Sequence, residues 1–133
     1  MRRVFDTNVY ISAFVVPGSK SELAFSLAER HRFELVVSPE ILTELEDKLV
    51  SRFEYSVEIA AEVRRDVSEV AIAVELQLEL CVLDDEPDNR VLECTAASGA
   101  VAIVTGDKEL LAVGNYDGIG VMTVAELLYS FPE

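Results

Sequence analysis

Short apolar runs without helical periodicity recur along this chain, and segments carrying helix-start signals separate them. The runs fall at residues 4–5, 35–37, 81–83, 101–104 and 119–122, each bounded by polar or turn residues. They are too short for buried helices and too uniformly apolar for half-exposed strands, so they read as strands buried on both faces. Between them, Ser19-Lys20-Ser21-Glu22 and Thr123-Val124-Ala125-Glu126 have the spacing of capping boxes. Ser38-Pro39 offers an N-cap followed by proline at the first helical position. Ile41, Leu42, Leu45 and Leu49 then form an apolar stripe, which predicts a helix to about Arg52. Further helices are expected over about 57–76, 89–98, closed by Gly99, and 108–112, before Gly114. Strands alternating with helices, with no hairpin signal, require crossover connections. The expected architecture is α/β, a three-layer α/β/α sandwich around a mainly parallel central sheet.

At 133 residues, without a repeat, a low-complexity tract or a long glycine or proline linker, the chain reads as a single domain over 1–133. Half of its residues are apolar and 27% charged, the balance of a folding globular chain. No apolar stretch approaches the roughly 20 residues that cross a bilayer. Asp6 and Asn8 interrupt anything resembling a signal-peptide core after Arg2 and Arg3, so a cytoplasmic location and no membrane are expected. Cys81 and Cys94 lack the spacing of metal knuckles or redox pairs and read as small core residues. The net charge of −14, from 25 acids against 11 bases, counts against a polyanion ligand unless cations offset the acids. It equally favours a basic protein partner.

Three aspartates carry the chemical argument. Asp6 follows the first apolar run directly, Asp107 follows the fourth after Thr105-Gly106, and Asp88 follows the third after a short acidic turn. In a parallel sheet all strand C-termini share one edge, where open α/β folds place their sites. Carboxylates gathered there raise one another's pKa unless a cation offsets them. The only histidine, His31, lies between Arg30 and Arg32 in a loop, so the available ligands are oxygens and the expected cation is Mg²⁺ or Mn²⁺. A helical acid from Glu40, Glu44, Glu46 or Asp47 is a candidate fourth member, and periodicity does not choose among them. Glu40 lies in a first helical turn, where the helix dipole already explains it, whereas Glu44 has only an exposed pairing with Lys48 to explain it. Asp84 and Asp85 compete with Asp88, and Glu93 is placed to add an outer ligand.

These residues also resemble a known family. Val4-Phe5-Asp6-Thr7-Asn8-Val9 is similar to the opening strand and first acid of PIN domains, Glu44-Leu45 to their helical acid, and Asp88-Asn89-Arg90-Val91-Leu92 to their third motif. Thr105-Gly106-Asp107 resembles the fourth. The likeness runs from Arg3 through Leu128. Ser38-Pro39-Glu40-Ile41-Leu42 together with Thr105-Gly106-Asp107-Lys108 is most similar to the VapC-like branch, toxins of bacterial and archaeal toxin–antitoxin pairs. The resemblance selects Glu44 and Asp88, and implies a catalytic and metal-holding set of Asp6, Glu44, Asp88 and Asp107. It also implies Mg²⁺- or Mn²⁺-dependent ribonuclease activity on RNA, inhibition by a small antitoxin protein, and a homodimer.

Asn8 and Thr105 are placed to orient the carboxylates or water, while Thr7 and Gly106 read as turn elements. Apolar residues near 23–27 and 45–49 are candidates for a dimer face. Each aspartate has a structural alternative: Asp88 and Asp107 both precede helices and suit N-capping. Lys20, Arg52, Arg64, Arg65 and Arg90 are scattered and form no evident phosphate track. Two other functions stand beside the nuclease. A phosphoacceptor receiver domain would want paired acids after the first strand and a lysine ending the last, against the single Asp6 and Gly120-Val121-Met122 found here. A catalytically silent PIN-like module would act by binding alone.

Overall fold

The computed structural model describes residues 2–74, 99–100, 102–116 and 119–131. The expected strand at 81–83 and helix at 89–98, with Cys81, Asp84, Asp85, Asp88, Glu93 and Cys94, lie outside the described residues. In chain order the described elements are β1 (Arg2–Phe5), α1 (Thr7–Val15), α2 (Lys20–Glu29), β2 (Glu34–Val37), α3 (Pro39–Phe53), α4 (Val57–Val70), β3 (Ile72–Ala73), β4 (Ala102–Val104), α5 (Lys108–Val113), β5 (Asn115–Tyr116), β6 (Ile119–Met122) and α6 (Val124–Tyr129).

The strands form one sheet in the order β3-β2-β1-β4-β6-β5. All pairings are parallel except β5 with β6. β1 lies between β2 and β4, with Val4 opposite Val36 on one side and Ile103 on the other. Val4, Phe5, Leu35, Val36, Val37, Ile103 and Val104 are all buried, which is why these strands read as apolar runs rather than as alternating ones. The chain moves from β1 outward through β2 to β3, then returns to β4 on the other side of β1. Right-handed crossovers place α1 to α4 on one face and α5, whose connection runs in the opposite direction, on the other, giving the three-layer α/β/α arrangement. α1 packs on α2 and α3, α3 on α4, and α5 against β6.

Local signals account for the helix boundaries. The side chains of Ser38 and Ser56 accept from the Ile41 and Ile59 N–H groups, and Thr123 with Glu126 forms a complete capping box. The box at Ser19 is half-formed: Ser19 Oγ accepts from Glu22 N–H, but Glu22 Oε1 takes the Gly18 N–H instead of returning to Ser19. α3 ends at Glu54 in the left-handed region, φ 57°.

Several expectations are corrected. The fourth helix stops at Val70, and Ile72–Ala73 pairs with β2, extended by a Val74 N–H to Val37 carbonyl bond of 2.9 Å. The edge of β2 has unsatisfied carbonyls to offer, and local periodicity does not show that. β5 and β6 make an antiparallel hairpin, against the expectation of crossover connections throughout; the sequence signal overlooked is Asp117-Gly118, a two-residue link of the kind hairpins favour, between Tyr116 and Ile119. Thr7 is the first residue of α1 rather than part of a turn, and it is completely buried. Leu45 and Leu49 are fully buried in the core, so they cannot form a dimer face; Leu23, at 54% exposure, is available.

At the opposite end of β1, Arg3 is buried with its guanidinium 5.2 Å from the Phe33 ring centre and 5.1 Å from that of Phe131. Burial lowers its pKa. The ring faces supply the electrostatic contact that Nε and Nη1 lack in hydrogen bonds, and they fasten the segment after α6 to the sheet.

Leu45→Ala is expected to cost about 2–5 kcal/mol in urea unfolding, because it opens a cavity beneath α3. Leu23→Ala, on an exposed surface of α2, should change stability by no more than about 0.5 kcal/mol.

Candidate active site

The chain reverses its direction of travel across the sheet between β1 and β4, so the helices that follow these two strands leave toward opposite faces. This topological switch point opens a crevice at the strand C-termini. Asp6 is the first residue beyond β1 and Thr105 the first beyond β4. The Asp6 N–H extends the ladder to the Val104 carbonyl at 2.9 Å, and the Thr105 N–H does the same to the Met122 carbonyl at 2.9 Å. The two residues are therefore fixed by the sheet itself.

Their side chains meet across the switch point. Thr105 Oγ1 donates to Asp6 Oδ2 at 2.8 Å and accepts from the Asp107 N–H at 2.9 Å. The hydroxyl's single proton is thereby committed to Asp6. Asp6 stands at the N-cap position of α1, where its carbonyl accepts from Val9 N–H, yet its carboxylate makes no capping bond to the helix. It is only 5% exposed. Burial raises its pKa first of all; the Glu44 charge raises it further, while the Thr105 hydroxyl, the Lys48 charge and the Thr7 backbone pull it down.

Asp107 has a different occupation. Its Oδ1 accepts from the N–H groups of Glu109 at 2.8 Å and Leu110 at 3.3 Å, capping α5, while Oδ2 takes part in neither bond. The capping function anticipated for this residue is therefore real, and it leaves one carboxylate oxygen for other work.

On α3 the acids separate by direction. Glu40 is exposed. Glu46 pairs with Arg64 at 2.6 Å and ties α3 to α4. Glu44 is the α3 acid whose charge reaches Asp6. Its Oε1 lies 2.8 Å from Lys48 Nζ, and the two side chains are only 18% and 19% exposed, so the pair is largely buried rather than solvated. Sequence reasoning missed Lys48 as part of this site, because an i,i+4 pair looks the same on paper whether it faces solvent or the sheet edge. It also missed Thr7, whose buried Oγ1 has no hydrogen-bond partner among the described residues. Asn8 is exposed.

Asp6, Glu44, Thr105 and Asp107 thus belong to one edge, but among the described residues no three carboxylates, histidines or cysteines close on a point. Asp88 lies outside the described residues. The available donors are oxygens, and the most buried of them, Asp6, resists ionisation first because burial strips it of solvent and then because Glu44 adds a like charge. That chemistry fits a hard divalent cation.

The sequence profile of the PIN domain matches residues 2–109. This chain belongs to the PIN-domain family. Over 114 residues it is 28% identical to the uncharacterized protein MJ1680 of Methanocaldococcus jannaschii, covering 83% of this chain and 73% of that protein. Among solved structures, it shares the fold of a chain in the Rickettsia felis VapBC2 complex bound to a DNA fragment from its promoter. That comparison has a TM-score of 0.66 and 11% identity, covering 92% of this chain and 98% of the other. PAE2754 of Pyrobaculum aerophilum follows at 0.64 and 20% identity, with 97% and 87% covered. VapC20 of Mycobacterium tuberculosis, a Sarcin-Ricin loop cleaving toxin, gives 0.61 and 16% identity, with 88% and 98% covered. The PIN fold explains why β1 and β4 carry acids at their ends: they flank the switch point.

The raised pKa of Asp6 has a consequence for stability. The folded chain holds the Asp6 proton more tightly than the unfolded one. This contribution is complete below the ordinary value of 3.8 and is lost as pH rises through the raised folded value. In metal-free protein at about pH 7.5, Asp6→Asn should therefore melt about 3–5 °C above wild type, the shift that roughly 1 kcal/mol gives a domain of this size, and the difference should vanish near about pH 3. Thr105→Val should act oppositely. It strips Asp6 and the Asp107 N–H of one shared partner and should destabilise by about 1–3 kcal/mol.

Proposed function

We propose that this protein is a metal-dependent endoribonuclease that hydrolyses RNA phosphodiester bonds as the toxin of a toxin–antitoxin pair. The observation that carries the reading is the state of Asp6, a buried carboxylate at the switch point that caps nothing. Its hydrogen-bonding hydroxyl comes from the strand carrying the next acid, and a second carboxylate raises its pKa. A capping role would leave such a group bonded to the N–H donors further into the first turn, as Asp107 is, whereas for Asp6 the Thr7 backbone is the smallest of the influences on it. Membership of the PIN-domain family supports the nuclease assignment, and the fold shared with VapC toxins supports the toxin role.

In this reading Asp6, Glu44 and Asp107 hold Mg²⁺ or Mn²⁺ together with Asp88. A bound divalent cation supplies Lewis acidity, lowering the pKa of water and offsetting charge on the scissile phosphate. The protein's own contribution is positional. The β1 and β4 ladders fix Asp6 and Thr105, and Thr105 holds Asp6 Oδ2 by its proton, so that the carboxylate needs no reorganisation when charge develops. Asp107 keeps Oδ2 for the site while Oδ1 anchors α5. Attack of water on phosphorus with loss of the 3′ oxygen leaves a 3′-hydroxyl and a 5′-phosphate.

The acidic balance suits a basic partner rather than a long polyanion. A groove of about 520 Å³ between α1, α2 and α4 has Phe14 and Phe25 among its apolar lining and Glu22, Glu29, Asp66 and Glu69 among its polar lining. This is the chemistry that a basic amphipathic segment of a small antitoxin would meet. Among the described residues no helix is long and apolar enough to cross a membrane.

The test is cleavage of a mixed single-stranded RNA pool by purified protein with Mn²⁺, with Mg²⁺ and with chelator. Wild type should cut only with metal. Asp6→Asn and Glu44→Gln should each lose at least about 100-fold, whereas Glu46→Gln, which breaks only the tie to Arg64, should stay within about threefold. Equal cutting by wild type and Asp6→Asn would defeat the proposal.

A further inference from the structure

Among the described residues α3 makes two ion pairs, and they differ in what they join. Glu46 with Arg64 links neighbouring helices, and Arg64 also reaches Thr43 Oγ1 at 3.4 Å, so that pair has an evident packing role. Glu44 with Lys48 joins two residues of the same helix, at 2.8 Å. α3 has little need of it, being capped by Ser38 and anchored by Ile41, Leu42, Leu45 and Leu49. Nevertheless Lys48 holds its side chain about four-fifths buried, giving up the rotamer freedom and hydration that a lysine keeps when it extends into solvent. What it gains lies in the site: its charge acts on Asp6 with the sign opposite to that of Glu44.

We propose that Lys48 is the resident counter-cation of the acidic site, neutralising Glu44 in the metal-free protein and competing with the divalent ion for that carboxylate. The inference rests on the metal-site reading of Asp6 and Glu44 and adds a property to it. A divalent ion held by Glu44 would share that carboxylate with the ammonium already on Oε1, and the two positive charges would oppose one another. The ammonium thus weakens metal binding while keeping the empty site electrostatically tolerable. Lys48 is a positioning residue in this account, acting on the cation through Glu44.

Mn²⁺ binding without RNA tests it, with free ion counted by electron paramagnetic resonance, alongside thermal melting with chelator and with saturating Mn²⁺. Lys48→Met should bind Mn²⁺ on the order of tenfold more tightly than wild type, as expected when a partly desolvated competing charge is removed. Its metal-free form should melt below wild type, and saturating Mn²⁺ should close the gap. Lys48→Arg keeps the charge and should stay within about twofold of wild type. Binding by Lys48→Met no tighter than a measurable wild-type affinity would overturn the inference alone. If wild type binds no Mn²⁺ at millimolar concentration, the metal-site reading fails and the inference fails with it. Should Lys48→Met not fold, Lys48→Gln carries the same prediction.

Discussion

β1 is paired on both sides, and that single constraint organises the rest of the molecule. A central parallel strand has no edge left to offer, so the chain must build outward on one side and then return to build on the other. The reversal separates the connections that follow β1 and β4 onto opposite faces and leaves a crevice between the two strand ends. A side chain placed one residue beyond either strand is held there by the sheet's own hydrogen bonds. Asp6 and Thr105, 99 residues apart in sequence, meet for that reason. The core beneath them is continuous apolar packing, so little can shift to relieve the site.

The site is consequently an electrostatic liability that the fold sustains. Asp6 is buried, Glu44 adds a like charge, and both influences work against ionisation. The Thr105 hydroxyl, the Lys48 ammonium and the Thr7 backbone offset part of that cost without removing it. A carboxylate held at such a cost marks Asp6 as a candidate functional group, and the proposed cation would offset that cost. The structural bonds of other acids in the same region contrast with it, since Asp107 caps a helix through Oδ1 and Glu46 ties two helices together.

Much of this architecture is legible in the amino-acid sequence, because the relevant information is local. Apolar runs at 35–37 and 102–104, the stripe on α3 and the serine and threonine caps follow from periodicity and from hydrogen bonding within four residues. Thr7–Val15 carries no comparable helical signal. Its β-branched and aromatic residues have modest helix propensity, and its buried positions Thr7, Val9, Tyr10, Ile11 and Ala13 wrap too far around the axis to leave a narrow stripe. β3 is hidden because two residues paired to a sheet edge carry almost no local signal. The Ser19 box misleads, because sequence spacing cannot tell whether Glu22 returns to Ser19 or stops at Gly18.

The sequence by itself determined that strands alternate with helices, and hence that a parallel sheet would bring the acids after β1 and β4 to one edge. It also determined that any ligand set there would be oxygen. Periodicity left the helical acid open and the family resemblance pointed to Glu44; only the tertiary structure showed which α3 acid has a charge that acts on Asp6. Glu40, Glu44 and Glu46 are equivalent in composition and nearly so in periodicity. Their environments separate only once α3 is docked, leaving Glu40 in solvent, turning Glu46 toward Arg64, and bringing the partly buried Glu44 and Lys48 within electrostatic reach of Asp6. Burial changes the worth of a charge more than its identity does, and burial is a property of the packed chain.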